Sequence, residues 1–428
     1  LLVLLTVSAA AQESHKFQLA PGTPAAQAPA QSKPTSQVLT LDEALQLAEE
    51  HSPLLHRAAA QQEGAAAAIN TAKAYPNPQF NTLLGHQYGR RDMPTPGVPG
   101  LLQHYSVNQL IETPAVRRTR IEAANLNRES SQFGLAAVHL SVRAAVKRAF
   151  YDVLRRKEEI QHAAENLKLV QDLEQRTEVQ VNVGEAAKLE LTRAQAERAT
   201  AQNVVKSASI LYIGAVSALR AVIGVPLAED VQIQGSLDPP VPLPPLATLH
   251  QTVLANHPVM AQARADVERA KAVLGNERAL RMPQPSLAAE YERQPDLGFY
   301  RIGLSIPVPV WDRRKGPIAE AEAAVKEATA AARERELEIT AALERSYGQY
   351  EVANQQVASF QAGALRQATA AVEAAQAAYK FGERGIIEVL DAQRVLQRVR
   401  GDYLDARIER ESALIDLEEL GAVKAGGN

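Results

Sequence analysis

Two carboxylates three residues apart, Glu388 and Asp391, are the side chains whose spacing most directly suggests chemistry. On a helix they project from one face. Copied around a threefold axis, they would form a carboxylate ring of the kind that selects for cations. On an isolated helix the same pair is an ordinary solvated face with weak ion pairs. Other chemistries find no residues. The chain has no cysteine, which removes disulfides, thiolate metal sites and a cysteine nucleophile. His51, His56, His86, His104, His139, His162, His250 and His257 show no ligand spacing, and only three methionines are present. No resident metal or other cofactor is therefore expected. Carboxylates abound, but without a Gly-rich phosphate loop or a nucleophile elbow the chain is not expected to be an enzyme.

The element that must hold the two acids is a helical hairpin. Residues 379–393 read YKFGERGIIEVLDAQ, with Gly382 and Gly385 between two amphipathic patterns. Glycine supplies the positive φ on which helices commonly end. Residues 181–195, VNVGEAAKLELTRAQ, repeat the device after Val183. Aligning Gly184 with Gly382 also aligns Glu185 with Glu383, Glu190 with Glu388, and Gln195 with Gln393. The chain is thus a tandem repeat with one hairpin tip in each half.

Aromatics make up only 4% of the chain, while alanine, glutamate, arginine and glutamine dominate long stretches, as in extended helices. A net charge of -3 argues against a nucleic-acid partner. Residues 1–11, LLVLLTVSAAA, resemble the later part of a secretory signal, and the Pro-, Ala- and Gln-rich residues 12–38 read as a flexible leader. Beyond that opening run, no stretch is expected to reach the roughly 20 apolar residues of a membrane helix.

The first repeat covers residues 39–225. Thr40 and Glu43 form a capping box, and a helix pair broken at Ser52-Pro53 runs to about Ala74. Residues 78–112 alternate with period two around a long loop and predict a strand hairpin, with Phe80, Thr82, Leu84, His86 and Tyr88 on one face. Thr113-Pro114 predicts a capped helix start, and a helical hairpin over 114–224 has its tip near 184. Residues 226–245 form a proline-stiffened connector. The second repeat, 246–421, has a strand hairpin at 285–310, with Tyr300, Ile302, Leu304, Ile306 and Val308 on one face. Its helical hairpin spans 317–420 with the tip near 382, and 422–428 are a tail. The seam of its first helix, from Ile318 to Phe360, is mostly alanine in near-heptad cadence.

Four strands leave two open edges, and lipid admits strands only when every backbone group is paired. Single-chain membrane barrels begin at about eight strands, so membrane strands here must be shared among several chains. Alanine-seamed helices likewise need neighbours to bury their stripe.

The repeat, its two tips and residues 304–316, LSIPVPVWDRRKG, resemble the TolC-like outer-membrane efflux family, most closely its heavy-metal cation-efflux branch. The resemblance spans residues 39–421. It implies a mostly α protein with membrane β: long helical hairpins forming a periplasmic α-barrel, and four strands per chain in a trimeric twelve-stranded outer-membrane β-barrel. It further implies a homotrimer embedded in outer-membrane lipid. Its partners would be a periplasmic adaptor docking on the tips (Val183, Gly184, Glu185, Gly382, Glu383 and Gly385) and an inner-membrane RND-type pump. The residues matching the family's periplasmic gate are Tyr379, Arg384, Glu388 and Asp391, with Glu190 in the equivalent place of the first half. Leu189 stands where some relatives carry a hydroxyl partner for the arginine.

Arg117-Arg118 and Arg313-Arg314-Lys315 sit where strands give way to helices. Cations at a helix N-terminus oppose its dipole, so they read either as a basic collar on inner-leaflet headgroups or as a solvated surface. Trp311 and Tyr88, Tyr105, Tyr291 and Tyr300 suit an interfacial aromatic belt. The leading functional expectation is a passive exit duct for metal cations. Drug efflux or type I protein secretion through the same duct, and a soluble coiled-coil protein, are the alternatives.

Overall fold

The computed structural model describes residues 38–88, 98–227, 231–237 and 242–423. The signal and leader readings lie outside the described residues, as do most of the first strand hairpin's loop and residues 424–428.

Strand β1 (Val38–Leu39) leads into helix α1 (Leu41–His51). There the Thr40 hydroxyl accepts from the Glu43 amide while the Glu43 carboxylate accepts from the Thr40 amide. Pro53 restarts the chain as α2 (Pro53–Lys73), at the first helical position, where a missing N–H costs nothing. Strands β2 (Gln79–Gln87) and β3 (Gly100–Leu110) precede α3 (Pro114–Asn182), which has 69 residues and is about 100 Å long. Helix α4 (Lys188–Ile223) returns and stops at Gly224, whose φ of 83° is left-handed.

After β4 (Gln232–Ile233), the second half repeats the order with α5 (Leu246–Asn256), α6 (Pro258–Ala279), β5 (Ser286–Arg293) and β6 (Gly298–Ser305). It continues with α7 (Lys315–Ser359), α8 (Leu365–Lys380) and α9 (Ile386–Glu419). His257 caps α6 by accepting the Val259 amide at Nδ1, and its Nε2 faces the Glu419 carbonyl at 3.3 Å. Burial holds the imidazole below its ordinary pKa, in keeping with the neutral tautomer this geometry uses.

The four long strands form one antiparallel sheet in the order β2-β3-β5-β6, so β2 and β6 are open edges. The register puts Phe80 opposite Val107, Tyr105 opposite Tyr291, Tyr291 opposite Tyr300 and Ala289 opposite Ile302. Their side chains therefore share a face. On it Phe80, Tyr105, Tyr291 and Tyr300 make a row with ring centroids 6.5, 6.3 and 4.9 Å apart. That face is bare: Phe80 is 65% exposed, Tyr300 85% and Ile302 84%. The opposite face carries the charges, with Ser106 beside Glu290, His104 beside Glu292, and Arg301 paired to Glu292, interspersed with Leu83, Leu102 and Phe299.

The helices form a layer in which α4 packs on α3, α3 on α9, and α9 on α7 and α8. A ladder of ion pairs stitches α3 to α9, joining Arg148 to Asp416, Arg155 to Asp405, Glu158 to Arg407 and Glu165 to Arg400 at 2.6 to 3.0 Å. The main core lies around Val146, Phe150, Leu219 and Ile223, roofed by β1 and β4. Smaller apolar clusters lie towards the hairpin tips.

Five details depart from the sequence reading. The Thr113 hydroxyl caps nothing and is buried without a partner, leaving Pro114 as the start signal. Strand β6 ends at Ser305 and not near Val308, because Pro307 and Pro309 have no N–H for a ladder. The connector contains β4, paired in parallel with β1. A π-turn (Phe360–Ala364) separates α7 from α8, where an unbroken helix is expected. Finally, α4 does contain a window apolar enough to cross a membrane by length and composition. Only 28% of that window is buried, and Ile210 and Ile213 are bare at 69% and 64% exposure.

Candidate functional site

Both hairpin tips are built the same way. Gly184 and Gly382 take φ of 84° and 74°, and the next amide reaches back five residues, Glu185 to the Gln180 carbonyl and Glu383 to the Ala378 carbonyl. These are Schellman closures, which require a left-handed residue and so favour glycine. Gly385 differs from the expectation. Its φ is -81° in extended backbone, and it serves as the N-cap of α9. A Cβ there would meet Glu388 Oε2 at 3.5 Å and Glu190 Oε1 at 3.9 Å, so the two repeat-equivalent acids converge on this glycine. Each acid lies in the first turn of its helix, where the dipole favours negative charge.

Tyr379 does not join Arg384. It is 5% exposed, packed with Leu173, Ala194, Ile386 and Val389. Its hydroxyl lies 2.8 Å from Thr177 Oγ1 and donates to Gln180 Oε1 at 2.8 Å. The phenol thus ties α8 to α3 of the same chain. Arg384 is exposed and, among the described residues, pairs only with Glu388, at 3.8 Å. Asp391, also exposed, lies 3.5 Å from Arg394, whose other nitrogen donates to Glu197 on α4 at 2.9 Å. Hydrogen bonding to Glu197 holds the Arg394 guanidinium above its ordinary pKa.

The expected carboxylate pair is therefore two separate ion pairs on one helix face. Thr177, Gln180, Glu197 and Arg394 complete the arrangement. The sequence held no signal for the first three, because each contact crosses between helices far apart in the chain. Arg394 was readable at three residues from Asp391.

The tips also expose apolar side chains. Val183 is 64% exposed, its repeat equivalent Phe381 76%, and Leu189 59%. Glu185 and Glu383 flank these residues, exposed.

The basic residues near the sheet divide into two kinds. Arg117 donates to the Lys73 carbonyl at 3.0 Å with its guanidinium 4.5 Å from the Tyr75 ring centre. Arg120, which the sequence reading omitted, donates to the Ala72 and Ala74 carbonyls and grips Glu112 with two nitrogens. These cations thus answer the C-terminus of α2, where carbonyls are orphaned and the dipole is negative. Arg314, at φ 55°, pairs with Glu277 on α6. Arg118, Arg313 and Lys315 are exposed and meet no carboxylate among the described residues.

Arg120→Ala should leave the Glu112 carboxylate, whose side chain is 2% exposed, unpaired. A loss of about 2 kcal/mol is expected. Arg120→Lys should recover little of it, since an ammonium cannot make the fork. Melting in detergent checks this; an unshifted transition for Arg120→Ala would show that the grip is incidental.

Comparison with known proteins follows the same architecture. The family described as "Outer membrane efflux protein" matches residues 44–225 and 249–422. The chain is 29% identical over 368 residues to the cobalt-zinc-cadmium resistance protein CzcC of Cupriavidus metallidurans, covering 86% of each. It is 26% identical to the nickel-cobalt-cadmium resistance protein NccC of Alcaligenes xylosoxydans xylosoxydans, over 65% of this chain and 62% of that one. Among solved structures, CusC superposes with a TM-score of 0.77 at 20% identity, covering 89% of this chain and 91% of that one. The outer-membrane channel OprN superposes at 0.78 and 17% identity, covering 90% of each. At those identities the superpositions speak to the fold alone.

Proposed function

We propose that this chain, which belongs to the outer membrane efflux protein family, assembles as a homotrimeric exit duct for divalent heavy-metal cations. The carrying observation is the sheet. It has an apolar, aromatic face that is bare in the single chain, a charged face behind it, and two unpaired edges. In water such a sheet is an aggregation hazard, and in lipid its edge groups would cost several kcal/mol each. Pairing β6 of one copy with β2 of the next removes the edges, sets the aromatic row against lipid and turns the charged face to a lumen.

The helical layer supports the same closure. Its two margins are unlike, α4 with bare Ile210 and Ile213 on one side and α7 with bare Leu337 and Val352 on the other. Unlike margins that meet head to tail generate a ring when the rotation closes. Three copies would give twelve strands and a continuous helical wall.

The tips then form the periplasmic mouth. Val183 and Phe381, bare and apolar, are suited to a docking adaptor. Energy would come from an RND-type inner-membrane pump joined through that adaptor, since the duct's own side chains only line and gate a passage. Metal as cargo is supported by the resistance proteins CzcC and NccC. The cations are cargo here and need no resident site.

Loss of the chain from its host should lower tolerance to cobalt, zinc or cadmium several-fold, and plasmid-borne expression should restore it. Unchanged tolerance to all three would overturn the metal assignment. A detergent-extracted, heat-modifiable oligomer that conducts in planar bilayers tests the duct separately.

A further inference from the structure

We propose that Arg118, Arg313 and Lys315, together with Trp311, form a binding collar for anionic lipid headgroups at the lower rim of the barrel; this rests on the membrane reading above. The sheet ends at one level. The Ile111 amide donates to the Pro285 carbonyl there, and Ser286 pairs with Ser305. Immediately beyond Ser305 the chain runs Ile306, Val308, Val310 and Trp311, exposed at 52, 74, 54 and 95%. An indole this bare, next to a lipid-facing surface, matches the amphipathic zone where tryptophan collects. Arg313 and Lys315 follow at once, and Arg118 lies one turn into α3, about 6 Å along the helix from Pro114. A headgroup layer is roughly 5–7 Å deep on each side of the hydrocarbon, so all three cations fall within reach of it.

What the neighbouring arginines do sharpens the assignment. Arg117 and Arg314 are occupied by the α2 C-terminus and by Glu277. The other three cations have no carboxylate partner among the described residues; Arg118 and Lys315 sit in the first two turns of α3 and α7 and Arg313 just ahead of the α7 N-cap, where the helix dipole disfavours positive charge. Local energetics therefore do not account for them. Charge complementarity with phosphate does, and each such cation near an anionic surface strengthens association about fivefold.

Trp311 is the only tryptophan in the chain, so intrinsic fluorescence reports this position alone. The reconstituted full-length protein should show Trp311 quenched several-fold more by brominated phosphatidylglycerol than by brominated phosphatidylcholine. The triple variant Arg118→Gln, Arg313→Gln, Lys315→Gln should lose that preference while keeping its emission maximum and its oligomer. Arg117→Gln should keep the preference. Equal quenching by the two lipids in the unaltered protein would overturn the collar, as would persistence of the preference in the triple variant. Abolition of the preference by inorganic phosphate at constant ionic strength would instead mark a free-phosphate site. A protein that inserts and conducts without lipid preference defeats the collar only, whereas failure to insert defeats the duct.

Discussion

Tyr379→Phe should loosen the periplasmic mouth and raise the single-channel conductance of the reconstituted duct. The substitution keeps the ring among Leu173, Ala194, Ile386 and Val389 and removes only the hydroxyl. That hydroxyl has two contacts at 2.8 Å, to Thr177 and Gln180, and both groups belong to α3. Buried hydrogen bonds of this kind contribute about 1 kcal/mol each. Losing them shifts a closed-to-open balance by about tenfold or more. The connection matters because little else crosses here. The ion-pair ladder between α3 and α9 ends at Glu165 and Arg400; nearer the tip Glu174 pairs only within the first hairpin, with Arg198 on α4, and among the described residues α3 is tied to the second hairpin by uncharged groups, Asn166 with Gln393 and Thr177 and Gln180 with Tyr379.

Thr177→Val provides the internal check. With the phenol proton given to Gln180, the Thr177 proton serves either the phenol or the Leu173 carbonyl, so the variant removes one of the phenol's two contacts and should open the mouth less than Tyr379→Phe, and the double variant should exceed the tyrosine variant little. Groups that share one bond are not additive. Conductance unchanged in Tyr379→Phe, with the oligomer intact, would show that the phenol is packing alone.

The contrast between what could and could not be read in advance follows from interaction range. Gly184 and Gly382 were legible because a left-handed residue is a local requirement of the backbone. Pro53, Pro114 and Pro258 mark helix starts for an equally local reason, a missing N–H placed where no bond is needed. The aromatic face of the sheet was legible because strand periodicity is two and the alternation is clean from Tyr300 to Leu304.

Contacts between distant segments were not. Arg120 reaches back 48 residues to Ala72, and Tyr379 reaches back 202 residues to Thr177. Nothing at either end of those contacts announces the other. The basic pairs near the strands show the consequence. Arg117 and Arg118 look alike in sequence, yet the fold ties the first to the end of α2 and leaves the second bare. The π-turn is a further case, since Phe360–Ala364 holds ordinary helix formers beside Gly363. Its seat against Tyr403, with ring centres 6.0 Å apart and Gln361 donating to the phenol, exists only in the packed pair of helices.

The ion pairs beside the second tip, at the proposed mouth, lead to the second large effect, on selectivity. A bare ring of Glu388 and Asp391 would be strongly cation-selective. In this chain each acid lies beside an arginine, Arg384 at 3.8 Å and Arg394, which it shares with Glu197, at 3.5 Å, so the acids' field is partly offset within each copy. Arg384→Gln with Arg394→Gln should therefore raise the preference for cations over anions several-fold. Glu388→Gln with Asp391→Gln should do the opposite and lower the cation preference below that of the unaltered duct. All four side chains are solvent-exposed, so the contrast belongs to dilute salt, where the screening length is about 30 Å, and should fade near 1 M, where it is about 3 Å. Glu190, which shares the space over Gly385 with Glu388, remains in both variants and sets the residual negative charge. Reversal potentials under a salt gradient measure the effect directly. Identical potentials for the two opposite double variants in dilute salt would remove these residues from the conduction path and place the selecting charges elsewhere along the duct.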